Sequence, residues 1–333
     1  MATVRDSMPS FDLYQPADLD AALALAGRLG PAGWLLAGGC DSLERFKDRH
    51  KTPKAVIDLG GVAELAGIRA DGDDLVIGPM TTLTDVARHP LVRERFGLLA
   101  RAAGEVAAPQ IRNQGTLGGN IAQDTRCWYY RAGWTCYRAG GNLCYADTPQ
   151  GRNREHAILG ASRCVAVSPS DTAPALVALE ARLVIRSAAG RREVAAEDFF
   201  VGPDRDITRL TILKPGEVLG EIRLPPAWAG APWAFEKVRD RPVWDFALVN
   251  MAAVLRTTGD RLDKARVVLG AVAARPWRLA AIEAAVAGRP RAEAAALAGR
   301  LAVAEARPLS HNGYKVTLAQ NLVFRAIAGK EAA

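Results

Sequence analysis

The sequence predicts an α+β fold in three parts, expected at residues 1–60, 61–188 and 189–333. Two observations carry this. Up to about residue 185, short apolar runs of strand character alternate with stretches of helical spacing. Beyond about 190, strand-like alternation comes first and the helices come late, as in a sheet covered on one face. A chain of 333 residues is long enough for two or three compact units.

In the first part, Leu19, Ala22, Leu23, Ala26 and Leu29 recur at helical spacing and predict a helix over 17–29. Trp34–Leu36 and Ala55–Leu59 read as short strands. In the second part, Leu75–Ile77 is a strand, Thr84 and Asp85 cap a short helix ending near His89-Pro90, and one amphipathic helix covers 91–107. Arg163–Val167 reads as a strand, a helix carries Leu176, Val177 and Leu179, and Arg182–Ile185 is another strand. In the third part, strands are expected at 218–224, 234–238, 246–255 and 265–272, then helices at 278–287, 291–305 and 314–327.

Composition narrows the function. No apolar run is long enough to cross a bilayer, and residues 1–8 lack the apolar core of a secretory signal, so the cytoplasm is expected unless a partner subunit carries the chain elsewhere. The net charge of +7 is spread along the chain, with a mild cluster at Arg5, Arg28, Arg45, Lys47, Arg49, Lys51 and Lys54. No nucleic-acid module accompanies it, so it reads as a solvated face or the surroundings of a phosphate-bearing cofactor.

Two glycine-rich segments stand out. Leu36-Ala37-Gly38-Gly39-Cys40-Asp41-Ser42-Leu43 follows a strand, and Gln114-Gly115-Thr116-Leu117-Gly118-Gly119-Asn120-Ile121 opens the stretch that ends at Asp171. Adjacent glycines let a backbone approach a ligand closely, and successive N–H groups can cradle an anion. Ser42 and Thr116 add hydroxyls and Asn120 an amide. Neither segment fits the strand, G-x-G-x-x-G and helix fingerprint, and there is no Walker A sequence. A two-loop dinucleotide site and two ordinary turns are both open on these residues.

Four of the five cysteines, Cys127, Cys136, Cys144 and Cys164, fall in one window with six aromatics. Thiolates suit iron–sulfur clusters or zinc. The wide gaps lack the paired Cys-x-x-Cys knuckles of zinc ribbons and suit a larger object such as a four-iron cube. Against this, Cys164 could be a core thiol and the others disulfides. Lys237 lies in a strand-like run, where it is either an exposed lysine or a partner for a flavin carbonyl. His156, between the third and fourth cysteines, is a ligand candidate or a surface residue, and Cys40 a reactive thiol or a small packed turn residue.

With these residues in hand, the chain resembles the FAD-binding (medium) subunits of the xanthine dehydrogenase family of molybdenum hydroxylases along nearly its whole length. Ala37–Ser42 is similar to the first FAD loop, and Ile111–Ile121 to the second and most specific one. Ser168-Pro169-Ser170-Asp171 is similar to the segment whose aspartate contacts FAD, and Leu213–Leu219 to a proline-glycine-glutamate segment opening the next strand. Phe235–Arg239 is similar to the strand whose lysine faces the isoalloxazine, and Asp245-Phe246-Ala247 to the strand that follows. The resemblance implies a two-subdomain FAD-binding (PCMH-type) fold plus a C-terminal sheet-and-helices domain. It also implies FAD contacts at Leu36 to Leu43, Gly115, Thr116, Gly118, Gly119, Asn120, Asp171, Leu219 and Lys237.

Most members run almost directly from the second loop to the aspartate, whereas this chain inserts about forty residues, at about 124–166. That insert resembles those of the flavin subunits of bacterial aldehyde oxidoreductases and of 4-hydroxybenzoyl-CoA reductase, in which four cysteines hold a [4Fe-4S] cluster. The implied ligands are Cys127, Cys136, Cys144 and Cys164. The gap of Cys127 to Cys136 and Glu155–Gly160 are closer to the aldehyde-oxidoreductase type.

The expected role is an electron-transfer subunit with no catalytic residue of its own. Implied partners are a large molybdopterin subunit, a small subunit with two [2Fe-2S] clusters, and an external electron acceptor or donor. Substrates would be aldehydes or heterocycles. In the reductase alternative, electrons run towards molybdenum. A different class is a stand-alone FAD oxidase with structural zinc, and a third is a non-catalytic scaffold with degenerate loops.

Overall fold

The computed structural model describes residues 8–329, so Arg5 of the basic cluster lies outside the described residues. Among these residues the strands form three sheets.

The first unit is a small parallel sheet. Strands β1 (Asp12–Tyr14), β2 (Gly33–Leu36) and β3 (Ala55–Asp58) run in the order β1-β3-β2, with Leu13 and Trp34 both opposite Val56. Helix α1 (Leu19–Leu29) starts where the Asp18 carboxylate accepts the Ala21 N–H at 2.8 Å, and buries Ala22, Leu23 and Ala26 against the sheet. Helix α2 (Ser42–Lys47) was not expected from the sequence; it buries only Arg45 and Phe46, too short a stripe to show a period.

The second unit holds an antiparallel sheet, β4-β5-β8-β6-β7. A hairpin of β4 (Ile68–Asp71) and β5 (Asp74–Ile77) opens it, and helices α3 (Leu83–Arg88), α4 (Pro90–Arg95), α5 (Gly97–Gly104), α6 (Pro109–Gln114) and α7 (Leu117–Ala122) follow. The insert carries little regular structure beyond α8 (Trp128–Arg131), and α9 (Thr172–Ala178) returns to the core. Strands β6 (Arg182–Ser187) and β7 (Gly190–Ala195), helix α10 (Ala196–Phe199) and strand β8 (Val218–Leu224) complete the unit. Strand β8 sits between β5 and β6, so the expected boundary at 188/189 falls inside the β6–β7 hairpin and the sheet runs on to 224.

Three expectations here change. Thr82, not Thr84 or Asp85, caps α3, its hydroxyl oxygen accepting the Asp85 N–H at 3.1 Å. The helix expected over 91–107 is two, because the chain turns at buried Phe96, where φ is −135° and ψ 49°. At that turn Gly97 passes against Trp233, whose Nε1 would lie 2.7 Å from an added Cβ. Residues 163–167 form no strand. Cys164 to Ala166 are buried where the insert packs on the third unit, Ser168 N–H donating to Ala273 O at 2.9 Å, while Arg163 is exposed.

The third unit is a sheet of β9 (Trp233–Val238), β10 (Val249–Thr258), β11 (Arg261–Gly270), β12 (Trp277–Arg278) and β13 (Arg289–Pro290), with α11 (Ala280–Val286), α12 (Arg291–Leu301) and α13 (Tyr314–Ala328). Its long hairpin is displaced from the expected 246–255 and 265–272, since Phe246 and Ala247 belong to a loop and Gly259, at φ 58°, makes the turn. Alternation along β10 divides the core. Met251, Ala253 and Leu255 join the three late helices, while Ala252 and Val254 join α5 and α9 of the second unit. The sheet is therefore covered on both faces, not one. That face of β10 carries Asn250 into the candidate site.

Candidate functional site

The site begins with the two glycine segments, which meet backbone to backbone. A Cβ at Gly38 would stand 2.1 Å from Gln114 O, so no side chain fits between the loops. Gly118 is equally restricted, an added Cβ falling 2.5 Å from Pro79 Cβ. Of these glycines Gly39 alone needs the left-handed region, at φ 75°.

The loops differ in what they offer a ligand. The second is the start of α7, with Thr116 as its N-cap. Most of its amides are already donated: Gly115 to Ile111 O, Leu117 to Thr81 O, Gly118 to Pro79 O, Gly119 to Thr116 Oγ1 and Asn120 to Thr116 O, while the Thr116 N–H has no protein acceptor among the described residues. In the first loop, the amides of Gly38, Gly39, Cys40 and Asp41 have no protein acceptor among the described residues. Undonated amides, the groups that can cradle an anion, are therefore gathered mainly in the first loop, with the Thr116 N–H adding one from the second. Ser42 Oγ accepts Trp34 Nε1–H at 3.0 Å, which leaves its own O–H to donate.

Both loops line a cavity of about 540 Å³, a size suited to a cofactor. Ala37 to Ser42, Gly115, Thr116, Gly118, Gly119, Asn120 and Leu219 are on its wall, whereas Leu36, Leu43, Asp171 and Lys237 are not. Residues not expected are Pro79, Met80, Asp124, Arg126 and, at the mouth, Trp244 and Phe246. Trp244 and Phe246 are 59% and 43% exposed, and the Trp244 N–H donates to Ala107 O at 2.9 Å. Two aromatics in the otherwise charged run that follows Val238 were the one signal for them.

Asp171 and Lys237 meet behind the wall. Lys237 Nζ donates to Asp171 Oδ2 at 2.6 Å and to Glu105 O at 3.0 Å, with both side chains buried. Asn250 Nδ2 donates to the other carboxylate oxygen at 2.8 Å. Burial raises the Asp171 carboxyl, and the Lys237 ammonium and Asn250 amide oppose that. Ser170 and Thr172 hydroxyls each donate to Asn120 Oδ1 at 2.6 Å, so the aspartate segment is tied to the second loop.

The insert is fastened to the first loop by ions. Asp41 accepts from Arg126 at 2.9 Å and Arg131 at 2.6 Å, and Asp124 accepts from Arg45 at 3.0 Å and from Arg138. Desolvation works against the Asp124 carboxylate, yet Arg138 and Arg45 hold it below the usual range.

The cysteines lie across this network. All five thiols are unpaired. Cys127, Cys136, Cys144 and Cys164 all lie in the one insert, Cys136 and Cys164 buried and Cys127 and Cys144 half-buried. Among the described residues, no three His, Cys, Asp or Glu side chains are placed to hold a single metal ion. Burial pushes the Cys127 thiol up to about 12 and raises Cys164, so neither is an activated nucleophile. Cys40 is likewise raised by burial.

His156 is not a surface residue: it is 4% exposed, with Nε2 3.3 Å from Cys127 Sγ. A second cavity, of about 50 Å³, is lined by Cys127, His156 and Trp128 and shares Arg126 and Phe246 with the large one. No helix among the described residues is long and apolar enough to cross a membrane.

Comparison with known proteins agrees with this geometry. Residues 9–227 match the family described as FAD binding domain in molybdopterin dehydrogenase, and 233–329 match the CO dehydrogenase flavoprotein C-terminal domain. The chain is 34% identical over 319 residues to the aldehyde oxidoreductase FAD-binding subunit PaoB of Escherichia coli (strain K12), covering 95% of this chain and 96% of that one. It is 33% identical over 325 residues to the carbon monoxide dehydrogenase medium chain of Hydrogenophaga pseudoflava, covering 96% of each. Among solved structures, a carbon monoxide dehydrogenase of Hydrogenophaga pseudoflava matches with a TM-score of 0.76 at 33% identity over 96% of this chain and 97% of that one.

Proposed function

Given that the chain belongs to the FAD-binding medium subunits of the xanthine dehydrogenase family of molybdenum hydroxylases, we propose that it carries a [4Fe-4S] cluster beside its FAD and serves an aldehyde-oxidising complex. Its partners would be a molybdopterin subunit and a [2Fe-2S] subunit. When bound, FAD holds two electrons and the cluster exchanges one at a time.

The chain's own residues do the holding. The amides of Gly38 to Asp41 would take the FAD phosphates, Leu219 and Met80 supply apolar wall, and Trp244 and Phe246 limit water at the mouth. Lys237 and Asp171 brace β9 against α9 from behind. Cys127, Cys136, Cys144 and Cys164 would hold the cluster, and Arg126 and Arg131 clamp that module onto the FAD loop.

What supports the cluster is four unpaired cysteines in one insert, none of them exposed, with no three ligands placed for a single ion among the described residues. The aldehyde reading is supported by similarity to an aldehyde oxidoreductase subunit over nearly the full chain.

Anaerobic purification with metal analysis and EPR tests this. One FAD, co-purifying molybdenum and about four irons beyond those of the partner subunits are expected. Zinc in place of iron, or a chain without partners, sinks it. Cys144→Ser should lose the cluster's EPR signal and keep FAD.

A further inference from the structure

His156 is a buried polar side chain that does not line the large cavity. Three contacts from distant segments fix it. Asn312, ahead of α13, donates to the carbonyls of His156 at 3.0 Å and Ala157 at 3.1 Å. Lys315, on α13, donates to Glu155 O at 2.9 Å. The ring packs beside those of Trp128 and Tyr129, at centroid distances of 5.8 and 6.5 Å. So held, Nε2 points at Cys127 Sγ at 3.3 Å, while Nδ1 is buried with no partner.

The contact runs one way or the other with the tautomer. With the proton on Nε2, the unpartnered Nδ1 is a bare lone pair and not a stranded N–H, and the facing sulfur accepts. A sulfur that accepts such a bond well is a thiolate, the form that binds metal.

We propose that His156 is a positioning residue for the iron–sulfur cluster, donating Nε2–H to the Cys127 thiolate and holding the cluster's reduction potential up. This rests on the iron–sulfur reading above. Reduction adds one electron to the cluster, and a donor on a ligating sulfur stabilises the more negative state. A hydrogen bond to a ligating atom also fixes that ligand's orientation. Cys127 is the ligand whose cavity adjoins that of the FAD, so the bond acts on the flavin side of the insert.

The test uses the whole complex, purified anaerobically, with His156→Leu and His156→Gln. EPR-monitored redox titration reads the cluster's potential, and iron and FAD are counted. His156→Leu should keep both and shift the reduction equilibrium about tenfold towards the oxidised cluster, ~59 mV for a one-electron couple. His156→Gln, whose side-chain NH₂ can reach the same sulfur, should recover most of that shift. An unchanged potential in His156→Leu overturns the proposal. Equal shifts in both variants, or loss of iron from both, overturn it in favour of plain packing. Wild-type complex without the extra irons fails differently, since it removes the iron–sulfur reading itself.

Discussion

Gly38→Ala should open the FAD site without unfolding the chain. The new methyl lands 2.1 Å from Gln114 O and 2.9 Å from both Gln114 C and Gly115 Cα. That is roughly 1 Å short of ordinary contact, and the obstacles are backbone atoms that cannot rotate aside. One loop must move away from the other, at a cost of about 1–3 kcal/mol for overpacking of this kind. The displaced loop is the one carrying most of the undonated amides, so the cost should appear as FAD affinity weakened roughly five- to hundred-fold. Titrating FAD into stripped protein and following flavin fluorescence measures it. Gly259→Ala is the control: its φ of 58° strains any side chain, nothing lies within 4 Å, and the β10–β11 turn it makes lines neither cavity. It should lower the apparent Tm and leave FAD binding alone. If folded Gly38→Ala binds FAD within about twofold of wild type, or Gly259→Ala weakens it as much, the two-loop account is wrong.

Three further outcomes follow from buried charge. Asp124→Ala strands Arg45 and Arg138, whose side chains are 5% and 3% exposed, and should cost about 3–5 kcal/mol, read as a lower apparent Tm with loss of iron; an unchanged Tm contradicts the anchoring role. Lys237→Met and Asp171→Asn should each destabilise strongly, but the double variant should lose less than their sum, because each single change leaves a charge or a dipole unmatched; additive losses in a thermal double-mutant cycle would deny the pairing. Burial lowers the Lys315 ammonium from 10.5 to about 7. The unfolded chain then binds more protons between about pH 7 and 10.5, so this residue makes stability rise with pH across that window, by at most ~1.4 kcal/mol per unit, and Lys315→Met should flatten the rise in a Tm-against-pH series.

Much of the fold was legible because its signals are local. The stripe of Ala22, Leu23 and Ala26 and the alternation along 249–255 come from the periods of helix and strand. Elements with too few residues for a period, such as α2 and β4, were not legible. Residues 163–167 misled because burial by packing and burial in a sheet leave the same apolar run. The break at Phe96 depends on Trp233, a partner far along the chain.

The sequence by itself determined which chemistry is present: two glycine loops, four thiols in one insert, one lysine and one aspartate in their segments. Only the tertiary structure decided how each is used. It placed Lys237 on Asp171, closed most of the second loop's amides on their own neighbours, and left the first loop's amides for an anion. It also turned His156 inwards onto Cys127 through contacts from α13. The reason is that residue type fixes what a group can donate or accept. Which partner consumes that capacity is set by segments a hundred residues away that share no local pattern with it.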